Sequence, residues 1–145
     1  MQNEPISIIA QQYPKVVIPL IDSAVNNIRV VVFDWRFYPT ISASPVSLFN
    51  AAIGAAAKRG VQVRALVNND LIVQKLRAFG CEARRLNSTK MLHTKMILVD
   101  DVALVIGSHN FTQHAFSMNE EASVLVRLSD PQNDFVKYFE ALWGV

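Results

Sequence analysis

His93 and Lys95 stand two residues apart in a stretch of otherwise mostly apolar residues, LHTKMILVDDVALVIGSHN at 92–110. Asp100 follows, then Gly107, Ser108 and Asn110, and further on Asn119 and Glu121. On a strand, side chains two apart face the same way, roughly 6.5 Å apart along the chain. His93 and Lys95 then share a face with Ile97 and Val99, while Leu92, Thr94, Met96 and Leu98 share the other. Two polar groups at one end of an apolar strand suggest that this end opens onto a cleft. An imidazole serves there as nucleophile or as general acid and base near neutral pH. A lysine beside it supplies fixed positive charge for a phosphate oxygen. Ser108 and Asn110 add neutral donors at the same rim. Together they suit the negative charge that grows on phosphorus when a phosphodiester is attacked. Each residue alone has a plainer reading. His-x-Lys is an exposed polar pair, Asp100 a turn residue, Glu120 and Glu121 the polar start of a strand, and His109 and His114 surface or rim residues without a catalytic role. The joint pattern carries the expectation.

The elements that must position these groups follow from apolar periodicity. Val16, Val17, Leu20, Ile21, Ala24 and Val25 recur at helical spacing over 14–27. IRVVVF at 28–33 is a β-branched run with the look of a buried strand. A helix begins with Ser44 as N-cap and Pro45 at its first position, and stops at Gly60. A strand at 61–67, a short helix near 70–79 ended by Gly80, and strands at 81–86 and 91–99 come next, with NSTK as the loop between the last two. Asp100-Asp101 reads as a two-residue hairpin turn into 102–107. A further strand at 121–128 and a helix from Pro131 to the end, with Phe135, Phe139 and Leu142 on one stripe, complete the chain. Alternating elements of this kind predict an α/β domain: a mixed, largely parallel β-sheet flanked by helices on both faces, in one unit over 1–145.

The 145 residues are 51% hydrophobic and 18% charged, a globular composition that excludes a disordered tail. The net charge of +2 is too small to argue for a polyanionic partner, but its distribution is uneven. Arg84, Arg85, Lys90 and Lys95 face only Glu82 within 82–96, whereas 111–140 is acidic on balance. A single cysteine, Cys81, excludes an internal disulfide and cysteine-ligated zinc. No basic segment followed by an apolar run opens the chain and no apolar run approaches the length of a membrane span, so the expectation is a cytoplasmic protein without stable membrane insertion.

The pattern His93-x-Lys95-x4-Asp100-x6-Gly107-Ser108-x-Asn110, followed by Asn119-x-Glu121, resembles the signature of the phospholipase D superfamily. The segments IDSAVNNIRVVVFDW, LFNAAIGAAAKRGVQVRALV and FEALW are similar to other parts of that family, so the resemblance covers nearly the whole chain. It implies a phospholipase D-like fold and a site in which His93 attacks phosphorus to form a phosphohistidine, or protonates the leaving oxygen. Lys95 and Asn110 would bind the non-bridging oxygens, Ser108 would orient the site, and Glu121 would hydrogen-bond a histidine and fix its tautomer. Asp100 would support the structure rather than act directly.

One imidazole cannot attack from one side of phosphorus and protonate the leaving group on the other in the same step. The chain has one copy of the motif and no room for a second, so the expectation is a homodimer whose two-fold axis passes through a shared active site. No metal and no other cofactor is expected, since the sequence lacks the carboxylate-rich cluster of two-metal nucleases. The motif names the reaction better than the substrate. Its single copy and short form resemble the nuclease branch, and Arg84, Arg85 and Lys90, leading into the catalytic strand, could track a nucleic-acid backbone. DNA is expected over RNA, cut internally and without sequence specificity. Trp35, Phe37 and Tyr38 could stack on bases or line a lipid slot, with packing the plainer role. The alternatives are a phospholipase D or phosphatidyltransferase acting on phospholipid head groups, and a binding module without turnover.

Overall fold

The computed structural model describes residues 4–144. Seven strands form one sheet: β1 (Ile6–Ile9), β2 (Asn27–Val32), β3 (Gln62–Val67), β4 (Glu82–Arg85), β5 (Lys95–Val99), β6 (Ala103–Gly107) and β7 (Ala122–Arg127). Four α-helices accompany them: α1 (Tyr13–Asp22), α2 (Pro45–Lys58), α3 (Asp70–Ala78) and α4 (Asp134–Trp143). The order across the sheet is β1-β7-β6-β5-β2-β3-β4.

The sheet is mixed, as expected, but its balance is not largely parallel. Only β2–β3 and β3–β4 pair in parallel; β2–β5, β5–β6, β6–β7 and β1–β7 are antiparallel. Connectivity is the reason. A parallel pair needs a crossover, usually helical, and only α2 and α3 bridge neighbouring strands in this way. Asp100 and Asp101 instead turn β5 directly into β6, both at positive φ (52° and 69°), as a tight hairpin of the primed type requires. Val102 N–H returns to Val99 O at 3.3 Å.

Helices cover both faces. Val17, Ile21, Phe49, Ile53 and Leu76 of α1–α3 pack on Ile28, Val30, Val32, Ala65 and Ile97. Phe139 of α4 packs on Val31, Leu66, Met96, Leu98 and Leu104 on the other side. The central strands are therefore apolar at successive positions, since both of their faces are buried. Arg29 and Arg64 fasten α4 by ion pairs to Glu140, and Arg64 also lies 5.1 Å from the Phe139 ring centre. Hydrogen bonds from Arg64 and then Arg29 hold the Glu140 carboxyl below the usual range, against its partial burial.

Helix boundaries obey the capping signals. Ser44 Oγ accepts from Ser47 N–H at 3.1 Å, and Asn69 Oδ1 accepts from Leu71 N–H at 2.8 Å. Gly60 and Gly80 end α2 and α3 at φ of +101° and +91°. Three features were not expected: β1, a 3-10 turn over Ala10–Gln12, and a π-helical turn over His114–Met118. The strand anticipated over 91–99 begins only at Lys95, leaving His93 in the extended segment before it.

This topology collects one end of the sheet. The C-terminal ends of β1, β2, β3, β4 and β6 meet there with the N-terminal starts of β5 and β7. His93, Lys95, Ser108, Asn110 and Glu121 all sit at or just past that edge. Among the described residues no helix is long and apolar enough to cross a membrane.

Candidate active site

His93 is exposed, and the Nζ of Lys95 lies 3.1 Å from its Nδ1 and 3.2 Å from its Nε2. An ammonium only donates, so this contact uses an imidazole lone pair. Phe33, the first residue after β2, forms the wall behind both: its ring centre is 5.0 Å from that of His93 and 5.6 Å from Lys95 Nζ. The pair does share a face with Ile97 and Val99, which lie in the core beneath α1–α3, while Leu92, Met96 and Leu98 enter the opposite core. Partial burial draws the Lys95 pKa below that of an ordinary lysine, and the negative Glu121 nearby opposes the shift.

Asn110 is fixed from one side only. Its Oδ1 accepts the Asp34 N–H at 3.0 Å, which leaves the amide N–H2 group to face outward. The loops after β2 and β6 are stitched beside it: Phe111 N–H donates to Asp34 O and Arg36 N–H to Phe111 O, each at 3.0 Å. Behind this stitch, Trp35 is buried, its indole N–H donating to Asn50 Oδ1 at 2.7 Å. Packing is thus the role of Trp35, whereas Phe37 and Tyr38 remain half-buried.

Ser108 and Glu121 form a third group. Ser108 Oγ donates to Glu121 Oε1 at 2.5 Å and accepts from Ala122 N–H at 3.0 Å, while Asn119 Nδ2 donates to Glu121 Oε2 at 3.0 Å. Within the chain the Glu121 carboxylate is therefore held by Ser108 and Asn119, and among the described residues it makes no hydrogen bond to a histidine. The glycine preceding Ser108 has a steric cause. A Cβ on Gly107 would stand 2.4 Å from Ser123 Cα and 2.5 Å from Ala122 O, so β7 could not approach past any other residue.

His109 departs from its expected place at the surface. It is buried, with Nε2 2.8 Å from Ala10 O, Nδ1 2.7 Å from Ser123 Oγ, and its ring 4.5 Å from that of Tyr13. A carbonyl only accepts, so Nε2 carries the proton and Nδ1 accepts from Ser123. Burial lowers the His109 pKa and keeps the ring neutral, with the Ala10 hydrogen bond and the Glu121 charge acting the other way. His109 thus ties the start of β7 to the turn after β1. His114 is exposed.

Asp100 lies at the far end of β5, about 16 Å of strand from Lys95. Its Oδ1 accepts the N–H groups of Asn26 and Asn27 at 2.7 and 3.1 Å, and Oδ2 that of Val25 at 3.1 Å. It shapes the entrance to β2.

The three basic residues are not brought together. Neighbours on a strand point to opposite faces. Arg84 accordingly lies over Trp143, 4.2 Å from a ring centre, and donates to Trp143 O at 2.6 Å. Arg85 reaches Asp70 at 3.5 Å and Lys90 is exposed in the loop before His93. Arg84 is committed to packing α4; Arg85 and Lys90 remain at the end of the sheet that carries His93.

One positioning residue escaped the sequence reading. Asn68, just past β3, donates through Nδ2 to Phe33 O at 2.9 Å and to Leu92 O at 3.1 Å. It clips the segment carrying His93 to the one carrying its aromatic wall. The only signal was an amide next to the helix-capping Asn69, and capping accounts for just the second of the two. Among the described residues no group of three or more His, Cys, Asp or Glu is placed to hold a metal.

Residues 17–143 match the family described as cardiolipin synthase, PLD-like domain. Among curated proteins, the mitochondrial cardiolipin hydrolase of Xenopus laevis is 30% identical over 92 residues, which are 59% of this chain and 44% of that protein. That of Chlamydomonas reinhardtii is 33% identical over 95 residues, 60% of this chain and 42% of that one. The chain thus spans less than half the length of these relatives. Among solved structures, the phospholipase D family member Nuc from Salmonella typhimurium aligns over 97% of this chain and 95% of its own, with a TM-score of 0.78 and 25% identity. NucT from Helicobacter pylori covers 97% of this chain and 96% of its own at a TM-score of 0.80 and 17% identity, a likeness of fold.

Proposed function

The chain belongs to the phospholipase D superfamily, a group of phosphodiesterase-type enzymes, and from that premise we propose that it is a metal-independent endonuclease, without sequence specificity, that cuts DNA through a phosphohistidine intermediate. The observation that carries this reading is the convergence of an exposed imidazole, an ammonium beside it and an outward-facing amide, each anchored from behind, at one end of the sheet.

In the proposed reaction an imidazole nitrogen of His93 attacks phosphorus, and the P–O bond on the opposite side breaks. Lys95 and the Asn110 amide bind the non-bridging oxygens as negative charge builds on them. The leaving oxygen takes a proton from a second imidazole, which a second copy of the chain supplies as its own His93. Water, deprotonated by that same imidazole, then displaces the phosphohistidine, and both rings return to their starting states. The negative charge of Glu121 opposes the lowering of the Lys95 pKa by burial and so favours the ammonium, and Ser108 and Asn119 hold Glu121. The exposed Met91 and Met118 lie in the segments that precede His93 and Glu121, and suit burial against a second copy at this end.

Two points support nucleic acid as the substrate. Arg85 and Lys90 stand at the active end of the sheet. The fold is shared across 97% of this chain with Nuc, a phospholipase D family member at 25% identity. The names of the curated relatives favour a second reading, hydrolysis of a phospholipid phosphodiester. Purified protein incubated with circular single-stranded DNA in excess EDTA, beside His93→Asn, separates them. Cutting that persists in EDTA and vanishes in the variant is the expected result. Intact DNA together with cleavage of cardiolipin in vesicles would replace the nuclease reading with the lipid one.

A further inference from the structure

Beyond the catalytic pair, two openings run into one another. One, of about 490 Å³, starts at Phe33 and Asn68, the wall and clip of His93. The other, of about 430 Å³, ends at Phe79. Phe37 and Lys75 line both, so the two form one trough leading from the candidate active site over α3. Its head is polar, with Asp34, Arg36, Asn68 and Asn69; its far part is aromatic and apolar.

Two groups in it remain available to a ligand. Lys75, at the junction of the two parts, is half-buried and has no ion pair among the described residues, whereas Arg36 at the head is tied to Asp34 at 2.8 Å. Phe79 keeps 41% of its surface exposed, yet its ring is held from two sides. The Phe37 ring meets it edge-on at 5.4 Å. Gly54 of α2 lies beneath it so closely that a Cβ there would come within 3.0 Å of the ring. A rigid, half-exposed ring and an uncompensated cation therefore share one trough that borders the site at Phe33 and Asn68.

We propose that this trough holds the strand flanking the scissile phosphodiester of a single-stranded nucleic acid, with Lys75 on a backbone phosphate and a base stacked at Phe79. This inference rests on the nuclease reading and narrows it. A single strand repeats a phosphate and a free base face at every step, which matches a cation followed by an aromatic platform. A duplex keeps its base faces stacked inside and offers none to Phe79. An acyl chain carries no charge beyond its head group and would leave the Lys75 ammonium without a partner in the middle of the trough.

The test measures KM and kcat of the wild type, Lys75→Ala and Phe79→Ala on a fluorescent single-stranded oligonucleotide, on bis(p-nitrophenyl) phosphate and on cardiolipin vesicles. Bis(p-nitrophenyl) phosphate is too small to reach the trough and reports the chemistry and the fold alone. The expected result is a rise in oligonucleotide KM of about tenfold in each variant, with bis(p-nitrophenyl) phosphate turnover unchanged. Lys75→Ala also lowers the slope of log affinity against log salt by about 0.7, the value for one single-strand phosphate contact. An oligonucleotide KM equal to that of the wild type in both variants overturns the trough and leaves the nuclease reading standing. A wild type that turns over bis(p-nitrophenyl) phosphate but no oligonucleotide overturns the nuclease reading itself. Loss confined to the vesicles gives the trough to an acyl chain and overturns the proposal.

Discussion

The two ends of β5 carry polar residues of the same motif and use them in opposite ways. At one end the Asp100 carboxylate accepts three backbone N–H groups and Asp100 N–H donates to Asn27 O, so its hydrogen-bonding capacity is turned inward. At the other end His93, Lys95 and the Asn110 amide each have one polar partner and leave donors or lone pairs facing outward. Buried polar groups are as a rule paired within the fold, whereas exposed ones keep capacity for water or a ligand. The contrast sets one end apart as scaffold and supports the proposal that the other carries the chemistry, a distinction that residue types alone do not make.

Substitutions at the two ends of the strand should therefore separate activity from stability. Lys95→Met should lower kcat on bis(p-nitrophenyl) phosphate by about 10²- to 10³-fold, the usual cost of removing one donor to a developing anion, with its melting curve nearly unchanged. Asp100→Ala should do the reverse. Three N–H groups lose their acceptor and alanine must adopt the left-handed backbone at φ 52°, so unfolding free energy falls by about 2–3 kcal/mol while turnover per folded molecule is retained. Chemical denaturation and active-site titration on both variants check this. Equal loss of activity at equal stability would erase the contrast.

Asn68 lies between these extremes. It is exposed, so Asn68→Ala should cost little global stability, but it removes the clip between Phe33 O and Leu92 O. A His93 segment free to shift by a fraction of an ångström predicts a drop in kcat of about tenfold, with KM and melting temperature close to those of the wild type. Asn68→Asp, which cannot donate to either carbonyl, should match the alanine variant. A change in KM alone would assign Asn68 to substrate contact instead.

How legible this was in the sequence depended on how local the causes are. Ser44, Pro45, Gly60 and Gly80 act within a few residues, and the helix limits they predict are close to those observed. The motif residues were legible because strand alternation places them, and Lys95, Ile97 and Val99 keep that alternation. What was missed is long-range. ISII at 6–9 becomes a strand only because β7, more than 100 residues later, offers it an edge. Asn68 meets carbonyls 35 and 24 residues away. The parallel share of the sheet was overestimated because alternating helices and strands suggest crossovers, whereas no helix joins β4 to β5 and β5 enters antiparallel to β2. Arg84, Arg85 and Lys90 look like one patch in a row of letters, and β4 divides them because adjacent residues face opposite ways.

His109 sharpens the comparison on a smaller scale, for it stands between Ser108 and Asn110 and yet belongs wholly to the scaffold. Its folded-state pKa lies below the unfolded value of about 6.5, so the neutral ring is the folded form. Protons then bind the unfolded chain in preference as the pH falls below 6.5, and stability declines with falling pH rather than rising. The contribution is complete above about pH 7 and is lost at up to about 1.4 kcal/mol per pH unit on the way down to the folded-state pKa. The Glu140 carboxyl, its pKa held below the usual range, gives up its own contribution only in more acid solution, so denaturation between pH 7 and 5 reads the histidine. His109→Asn should be less stable at neutral pH, having lost the bridge from Ser123 to Ala10, but flat across that interval. A wild type that is equally flat would mean that the ring takes up its proton in place, and that Ala10 O and Ser123 Oγ hold the cation as well as they hold the neutral form.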